Sequence, residues 1–442
     1  MHLKDKIIKF ILKQNNDLRN HGTKALIKKF YLLIKFIPNI PFYILALPIC
    51  FFIRLISPFI IIRIQKIPCA NFGNFVSFVS LYYCKKKLNI EQPGKKHIDL
   101  FYFHQSDKIY NKQLAKMWKR KLIFFSSYVL NPIDNINKIF SGAENYAIEI
   151  LSTKLEYDIE NLAYRYPPLE FTNDEEIYGK KILSKFGLSE KDKFVCLAVR
   201  DGAYSKIKNS STPDPHNDFR NNNIDNFVLA CEELVERGYY IFRMGVVAEK
   251  PLDLGNPKII DYANSNLRSD FMDIYLGAKC SFCISTGYGF DYVPYIFGKP
   301  ISLASLPFAD LRTHSDRFLL LTKHHFSKKK KRNLSLSEIF SCGAAFDYDT
   351  KNFEKKGIEL IDYSPEQIRD LAIEMVDIVE QKKQPNQEDE QLQKIFKDLF
   401  SAKVKSGSFQ EQLKKTRYLK LHGEIRASFS TKFLRENKNW LN

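Results

Sequence analysis

The stretch Cys280-Ser-Phe-Cys-Ile-Ser-Thr-Gly-Tyr-Gly289 contains the pattern that decides the fold. Residues 280–285 form an apolar run that predicts a buried strand, and Gly287 and Gly289 predict a tight turn after it. Residues 292–297 then predict a helix, which Gly298 ends. A buried strand that leads through a turn into a helix is the repeating unit of a parallel sheet covered by helices.

The same alternation continues on both sides of this stretch. Strands are predicted at residues 97–103, 122–128, 194–199, 239–244, 259–262 and 301–303. Helices are predicted at residues 72–83, 108–119, 224–237 and 271–276. Two capping boxes, Thr172-Asn-Asp-Glu175 and Ser364-Pro-Glu-Gln367, predict the starts of two more helices. The pattern indicates an α/β protein with two Rossmann-like domains facing a cleft.

Changes in charge and polarity divide the chain into four predicted regions. Residues 1–66 are a basic and apolar segment, and residues 67–188 and 189–350 are the two Rossmann-like domains. The polar residues 189–193 separate the two domains. Residues 351–442 are predicted to form a carboxyl-terminal helical extension.

Composition excludes several classes of protein. The 442 residues are 45% hydrophobic, which is too apolar for a disordered chain. A net charge of +18 favours an anionic partner, which includes nucleic acid, acidic lipid and phosphorylated substrates. Eight cysteines in this length are too sparse for a disulfide scaffold and show no metal-ligand spacing, so we expect structural thiols in a reducing cytoplasm.

The amino-terminal region combines cations with a long apolar stretch. Residues 1–66 contain twelve Lys or Arg against two Asp, and residues 36–53 carry no charge. A transmembrane span is possible by length, but four prolines would interrupt its backbone hydrogen bonds. We therefore expect a peripheral or monotopic contact with an acidic membrane surface. The alternative is a core helical hairpin packed on the rest of the protein.

The turn after the predicted strand at residues 280–285 is a candidate anion site. Backbone amides at the start of the following helix would face a phosphate, and the hydroxyls of Ser285 and Thr286 would donate to it. Gly287 and Gly289 would let the phosphate approach the backbone. The alternative is an ordinary strand-to-helix turn, and the dinucleotide fingerprint of three glycines is absent.

Three arginines lie at or near predicted strand ends. Arg200 follows the strand at residues 194–199, Arg243 ends the strand at residues 239–244, and Arg220 lies in a polar loop. Ligands of open α/β sheets bind outside the carboxyl ends of the strands, and a guanidinium there suits bidentate contact with phosphate. Surface salt bridges are the alternative role for these arginines.

Several segments together resemble one known family. They are Leu55-Ile-Ser-Pro-Phe-Ile-Ile-Ile-Arg-Ile, Asn111-Lys-Gln-Leu-Ala-Lys-Met-Trp-Lys-Arg, Val199-Arg-Asp-Gly-Ala-Tyr, Asp218-Phe-Arg-Asn, Gly238-Tyr-Tyr-Ile-Phe-Arg-Met-Gly, Asp261-Tyr-Ala, Arg268-Ser-Asp-Phe-Met-Asp-Ile-Tyr-Leu, Ser285-Thr-Gly and Phe433-Leu-Arg-Glu-Asn-Lys-Asn-Trp-Leu. The sequence resembles a family of bacterial glycosyltransferases associated with surface-polysaccharide gene clusters, from about residue 50 to the carboxyl end.

This resemblance implies a GT-B architecture and a place on the cytoplasmic side of the inner membrane. Residues 189–350 would bind a nucleotide-sugar donor, and residues 67–188 would bind a lipid-linked or polysaccharide acceptor. One position departs from the family pattern, because Gly73 is followed by Asn74 where the family often has His. The chain must then use another base, or its activity is altered.

Transfer of a sugar to a hydroxyl requires a base that accepts the proton of the acceptor. Asp201, His216 and Asp218 lie in loops near the predicted strand ends and are the candidates, although each is also suited to capping a loop. No Asp-x-Asp occurs in a context suited to holding a metal against a diphosphate, which predicts a metal-independent enzyme without a resident cofactor.

The leading hypothesis is a membrane-associated glycosyltransferase. Its donor diphosphate would be bound by Arg200, Arg220, Arg243 and the turn at residues 285–289. The second hypothesis is a non-catalytic glycan-binding or scaffold protein that kept the fold. A nucleic-acid binder is a remote third hypothesis, because the excess charge lies in the segment that also carries the apolar stretch. We therefore predict no nucleic-acid partner.

Overall fold

We describe the protein from a computed structural model. The structure describes residues 37–148, 166–203, 215–308, 311–382, 386–407 and 425–442, with four single positions at Gly22, Thr23, Ile27 and Phe30. At residues 215–217 it describes the backbone alone.

The described residues form two compact units, each assembled from separate parts of the chain. Unit 1 takes its residues from Met1–Ala70, Glu91–Tyr110 and Trp118–Ile150. Unit 2 takes its residues from Asn71–Ile90, Asn111–Met117 and Leu151–Asn442. The division of the chain into four consecutive domains, which the sequence analysis expects, stays a prediction.

The helices and strands are numbered in chain order. The helices are α1 (Ile40–Leu55), α2 (Phe72–Lys87), α3 (Lys112–Lys121), α4 (Ser127–Asn137), α5 (Asn173–Lys185), α6 (Val228–Glu236), α7 (Asp270–Lys279), α8 (Tyr292–Ile296), α9 (Leu336–Ser341), α10 (Thr350–Lys355), α11 (Pro365–Val379), α12 (Gln387–Lys405) and α13 (Thr431–Glu436). The strands are β1 (Ile61–Lys66), β2 (His97–Tyr102), β3 (Ile123–Phe124), β4 (Lys193–Ala198), β5 (Tyr239–Arg243), β6 (Ile259–Ile260), β7 (Phe282–Ser285), β8 (Ile301–Leu306), β9 (Phe318–Thr322), β10 (His324–Ser327), β11 (Arg332–Asn333), β12 (Ile358–Ile361) and β13 (Ser428–Phe429).

Unit 1 is built on a small parallel sheet in the order β1-β2-β3. The buried face of α1 packs with α4 against this sheet, in a core of Ala46, Cys50, Ile53, Ile64, Tyr102, Leu130 and Ile133. A buried ion pair joins the two longer strands, because Arg63 Nε lies 2.7 Å from Asp99 Oδ1 in the facing register position.

One strand expected in unit 1 is shorter than predicted. Of residues 122–128, only Ile123 and Phe124 are extended. The hydroxyl of Ser126 accepts a hydrogen bond from the backbone N–H of Tyr128 and caps α4. The following apolar residues then meet the core at helical spacing, with Leu130 and Ile133 buried. The strand was predicted too long because an apolar run alone does not distinguish a strand from the start of a buried helix.

Unit 2 is built on a parallel sheet of seven strands in the order β13-β9-β8-β7-β4-β5-β6. Counted along the chain from β4, the first six strands stand in the order 3-2-1-4-5-6, which is that of a doubly wound Rossmann sheet. Strands β7, β8 and β9 are buried along their whole length, as expected for a parallel sheet covered by helices. The predicted α/β class with parallel sheets is confirmed.

Local signals fix the ends of several helices as predicted. Both capping boxes, at Thr172 and Ser364, are formed at the starts of α5 and α11. Of the carboxyl-terminal residues that the structure describes, most are helical, but β13 also adds a seventh strand beside β9.

A second, antiparallel sheet in the order β11-β10-β12 was not predicted. Its strands are short and interrupted by polar residues, so they lack a continuous apolar run. The basic residues 328–331 form an exposed turn between β10 and β11, and Arg332 begins β11.

Candidate functional site

The carboxyl edge of the unit 2 sheet has one position where the chain order reverses. Strands β5 and β6 follow β4 on one side, whereas β7, β8 and β9 extend the sheet on the other. In sheets of this kind, the loops that leave the two strands at such a reversal turn in opposite directions, and ligands bind between them. The two loops at this reversal are residues 199–203 and residues 286–289, which include most of the residues predicted to bind an anion.

Hydrogen bonds join these two loops. The backbone N–H of Thr286 donates to the carbonyl of Ala198 at 3.0 Å. The backbone N–H of Arg200 donates in return to the Thr286 hydroxyl at 2.9 Å. From a third segment, the Arg220 guanidinium donates to the carbonyl of Gly287 at 3.1 Å. Arg200, Arg220 and the glycine turn are thus brought together, as the sequence predicts.

The turn after β7 is held from behind by a buried ion pair. The Ser285 hydroxyl donates to Asp291 Oδ2 at 2.9 Å and accepts from the backbone N–H of Gly287 at 3.0 Å. Asp291 is fully buried and pairs with the Arg312 guanidinium, which lies over the Tyr292 ring. The hydroxyls of Ser285 and Thr286 are therefore used inside the protein, and their direct donation to a phosphate stays a prediction.

The helix after this turn is short and matches the predicted residues 292–297 within one residue. A 3-10 turn at Gly289–Asp291 is followed by only five helical residues in α8. A helix of this length has a small dipole, so any attraction for an anion must come mainly from side-chain charges and single amides. The neighbouring cationic side chains, more than the helix, would therefore attract an anion to this site.

Two glycines leave no space for side chains. Gly287 has φ +80°, and a Cβ added there would lie 2.2 Å from Leu306 Cδ2. A Cβ added to Gly289 would lie 2.8 Å from the backbone nitrogen of Gly73, in the first turn of α2. The amino-terminal end of α2 is therefore in backbone contact with the glycine turn.

Asn221 accepts hydrogen bonds from two cationic side chains at this edge. Its Oδ1 accepts from Arg200 Nε at 3.1 Å, and its carbonyl accepts from Lys323 Nζ at 2.7 Å. Lys323 follows β9 directly, is buried, and also lies 2.7 Å from Asp362. Burial lowers the pKa of Lys323. Sequence reasoning missed Asn221 and Lys323, although Lys323, like Arg200, follows closely on an apolar strand.

Arg243 has a different setting from the other two arginines. Its side chain is only 1% exposed and is paired with Asp201 at 3.2 Å and Asp261 at 3.6 Å. It also donates to the carbonyl of Lys250. The structure therefore supports a positioning role for Arg243, and its direct contact with a diphosphate stays a prediction.

The side chains of two of the three predicted bases are described, and their contacts differ. Asp201 accepts from the backbone N–H groups of Ala203 at 3.1 Å and Glu249 at 2.7 Å, besides pairing with Arg243. Asp218 is exposed, and its Oδ1 accepts from Asn221 Nδ2 at 3.1 Å. His216 lies in the 3-10 turn Pro215–Arg220, where its side chain is outside the described residues.

No metal-ligating group emerges within the described ranges. A search of those residues for three or more His, Cys, Asp or Glu side chains arranged to hold an ion finds none. The metal independence expected from the sequence stays a prediction.

Fold and site together define an α/β protein whose unit 2 gathers cations at a Rossmann switch point. The sequence matches no protein-family model, and a search of curated proteins finds no match. Two solved structures are similar over most of their length. The glycosyl transferase family 9 structure from Veillonella parvula has TM-score 0.37 and 10% identity, covering 73% of this chain and 98% of that one. The E. coli ADP-heptose LPS heptosyltransferase II has TM-score 0.34 and 12% identity. This match covers 72% of this chain and 98% of the heptosyltransferase chain. Likeness at this level adds nothing to the assignment of residues.

Proposed function

We propose that the protein is a glycosyltransferase that binds a nucleotide-sugar donor at the carboxyl edge of the unit 2 sheet. The observation that carries the proposal is the coincidence of the strand-order reversal with Arg200, Arg220 and Lys323. A switch point is where doubly wound sheets bind nucleotides. Cations are what a diphosphate requires there.

The chemistry of sugar transfer fits this arrangement. The bond between the anomeric carbon and the diphosphate oxygen breaks, and the nucleoside diphosphate leaves with additional negative charge. Arg200 and Arg220, held in advance by Asn221 and Gly287, stabilise that charge. A bond forms from the acceptor hydroxyl to the same carbon, and the hydroxyl proton passes to a base. Among described side chains, Asp218 is the accessible candidate.

Acceptor and pathway follow from the resemblance stated above. We propose a lipid-linked or polysaccharide acceptor in bacterial surface-glycan synthesis, with no resident cofactor. The nucleotide sugar is then a substrate.

Calorimetry with nucleoside diphosphates tests the donor site. We expect UDP, ADP or GDP to bind, the matching monophosphate to bind more weakly, and the nucleoside to bind least. Arg200→Gln and Arg220→Gln should each weaken diphosphate binding by about 10- to 100-fold, because each removes a charge-assisted hydrogen bond. Arg237→Gln is the matched control, because Arg237 pairs with Glu233 on the surface of α6. Equal binding of nucleoside and diphosphate, or wild-type affinity in both variants, would contradict the proposal.

A second function is favoured by the engagement of Asp201. Because its oxygens already accept from Arg243 and two backbone amides, Asp201 is poorly placed to act as the base, which favours a non-catalytic glycan-binding or scaffold protein that kept the fold. Release of nucleoside diphosphate from a panel of nucleotide sugars separates the two functions. Binding without release, with and without added glycan, favours the non-catalytic alternative.

A further inference from the structure

One face of α1 is apolar and uncovered by the described residues of unit 1. The helix buries a single stripe, Ala46, Cys50 and Ile53. The opposite side exposes large apolar side chains to 55–75% of their area: Ile44, Leu45, Phe51, Phe52 and Leu55. We call these five residues the apolar outer face. A contiguous apolar surface of this kind is uncommon on soluble proteins and marks an interaction site.

Neighbouring elements of unit 1 extend this surface. The ring of Phe42 in α1 lies 5.7 Å from that of Tyr128, which is half exposed at the start of α4. At the other end of α1, the ring of Phe51 lies 5.4 Å from that of Phe140. Ile139, next to Phe140, is 63% exposed. The apolar surface therefore extends from α1 onto the start of α4 and onto the residues that follow α4.

Unit 1 carries an exposed cation, and more cations precede α1 in the sequence. Lys119 is exposed, and its Nζ lies 5.8 Å from the Phe103 ring, which stacks on Phe124 of β3. Directly before α1 in the sequence, residues 1–36 contain nine Lys or Arg against two Asp. Within residues 37–62 the only charged residue is Arg54, and its guanidinium is turned into unit 1. An apolar helix face that follows a basic stretch of sequence matches the interface of an anionic bilayer.

The contacts of α1 favour a helix that lies flat. Residues Ile37–Leu55 are long and apolar enough to cross a membrane by length and composition. However, α1 itself has 16 residues and spans about 24 Å, less than the roughly 30 Å of a bilayer core. Its buried stripe packs on α4, the Cys50 thiol donates to the Ile133 carbonyl at 3.3 Å, and Arg54 donates to the Ser141 carbonyl at 2.8 Å. A spanning orientation would break these contacts.

We infer that the apolar outer face inserts into one leaflet of an anionic lipid bilayer, with α1 lying parallel to the membrane plane. The inference is independent of the nucleotide site in unit 2. It commits to lipid as the occupant, and a second copy of this chain is the competing occupant that the test must exclude.

Vesicle flotation of the full chain tests the occupant. Vesicles are made of phosphatidylcholine alone or of equal parts phosphatidylcholine and phosphatidylglycerol. We expect binding to the anionic vesicles and a drop of at least about 100-fold in L45Q/F52Q/L55Q, because three large apolar side chains lose their transfer energy. The matched control I177Q/I378Q/I395Q changes three exposed apolar residues of unit 2 and should bind as the wild type does.

Two outcomes would overturn the inference. The first is wild-type vesicle binding by L45Q/F52Q/L55Q. The second is a wild-type dimer in sedimentation that the triple variant converts to a monomer, without vesicle binding by either. Far-UV circular dichroism and urea unfolding, measured in parallel, report whether the triple variant is folded.

Quenching by brominated lipids tests the orientation. Tryptophan is placed at one end of the face by Ile44→Trp and at the other by Leu55→Trp, with the wild type as background. A flat helix brings both indoles to the same shallow depth, whereas a spanning helix separates them by about 16 Å. Different depths would overturn the parallel orientation.

Discussion

At the scale of the residue, Gly287 meets two separate constraints. Its φ of +80° is a conformation that residues with a Cβ rarely adopt. The side chain of Leu306, carried by the adjacent strand β8, occupies the space that a Cβ would need. Gly238 shares the positive φ, at +88°, but has no atom within 4 Å of an added Cβ. A comparison of alanine substitutions at Gly287 and Gly238 therefore separates the cost of backbone strain from the cost of steric overlap.

We expect Gly287→Ala to destabilise the protein by about 2–5 kcal/mol, and Gly238→Ala by about 1–2 kcal/mol. Urea unfolding measures both. Only Gly287→Ala should also weaken nucleoside diphosphate binding, and adding Leu306→Ala should recover the steric part of the loss. Equal destabilisation in the two single variants would show that Leu306 moves aside freely.

His325 is a buried titratable residue on β10. It packs against the rings of Phe308 and Phe353, and its Nδ1–H donates to the Lys323 carbonyl at 3.1 Å. Burial lowers the pKa of His325 to about 4. The unfolded chain binds this proton near pH 6.5, whereas the folded protein binds it only near pH 4. Stability is therefore lost as pH falls through this interval.

We expect this histidine to remove up to about 3 kcal/mol of folding free energy between pH 6.5 and pH 4. His325→Asn keeps a donor for the Lys323 carbonyl but has no group that titrates here. Urea unfolding at several pH values should show a shallower acid loss in the variant. Parallel curves for the variant and the wild type would rule out His325 as the source.

At the scale of the element, Arg243 joins the ends of three strands. It belongs to β5, and it pairs with Asp201 after β4 and Asp261 after β6. It also donates to the carbonyl of Lys250 in the loop between β5 and β6. One buried guanidinium therefore fixes the loops on this side of the switch point.

Arg243→Ala should lower the free energy of unfolding by about 3–5 kcal/mol, because it leaves two carboxylates facing each other without a counter-charge. Arg237→Ala removes an arginine from a surface ion pair and should cost at most about 1 kcal/mol. Urea unfolding and calorimetry with a nucleoside diphosphate are measured together. Loss of affinity with stability unchanged would instead support the direct contact expected from the sequence.

At the scale of the whole molecule, two kinds of surface lie in different compact units. Unit 1 carries the apolar outer face, and unit 2 carries the cations at the strand-order reversal. Part of the +18 net charge belongs to residues before α1, and part to the arginines and lysine of the switch point. Because the two surfaces share no residue, the membrane and nucleotide proposals can each fail without the other.

Local patterns in the sequence determined the elements and their class. Apolar runs encode burial, so β4, β5, β7 and β8 were found within two or three residues of their ends. Capping boxes encode helix starts through bonds only three residues long, so α5 and α11 were placed correctly. The arginine at the end of β4 and the glycine turn after β7 were identified for the same reason.

Only the tertiary structure decided the partner of each polar side chain. Arg243 and Asp201 are 42 residues apart, and Lys323 and Asn221 are 102 residues apart. No local pattern encodes such pairings, because they depend on which strands become neighbours. Burial of Arg243, use of the Ser285 hydroxyl inside its turn, and the contact between Gly73 and Gly289 all arise in this way. The sequence alone therefore determined where a strand ends, whereas the order of strands in the sheet decided which charges meet there.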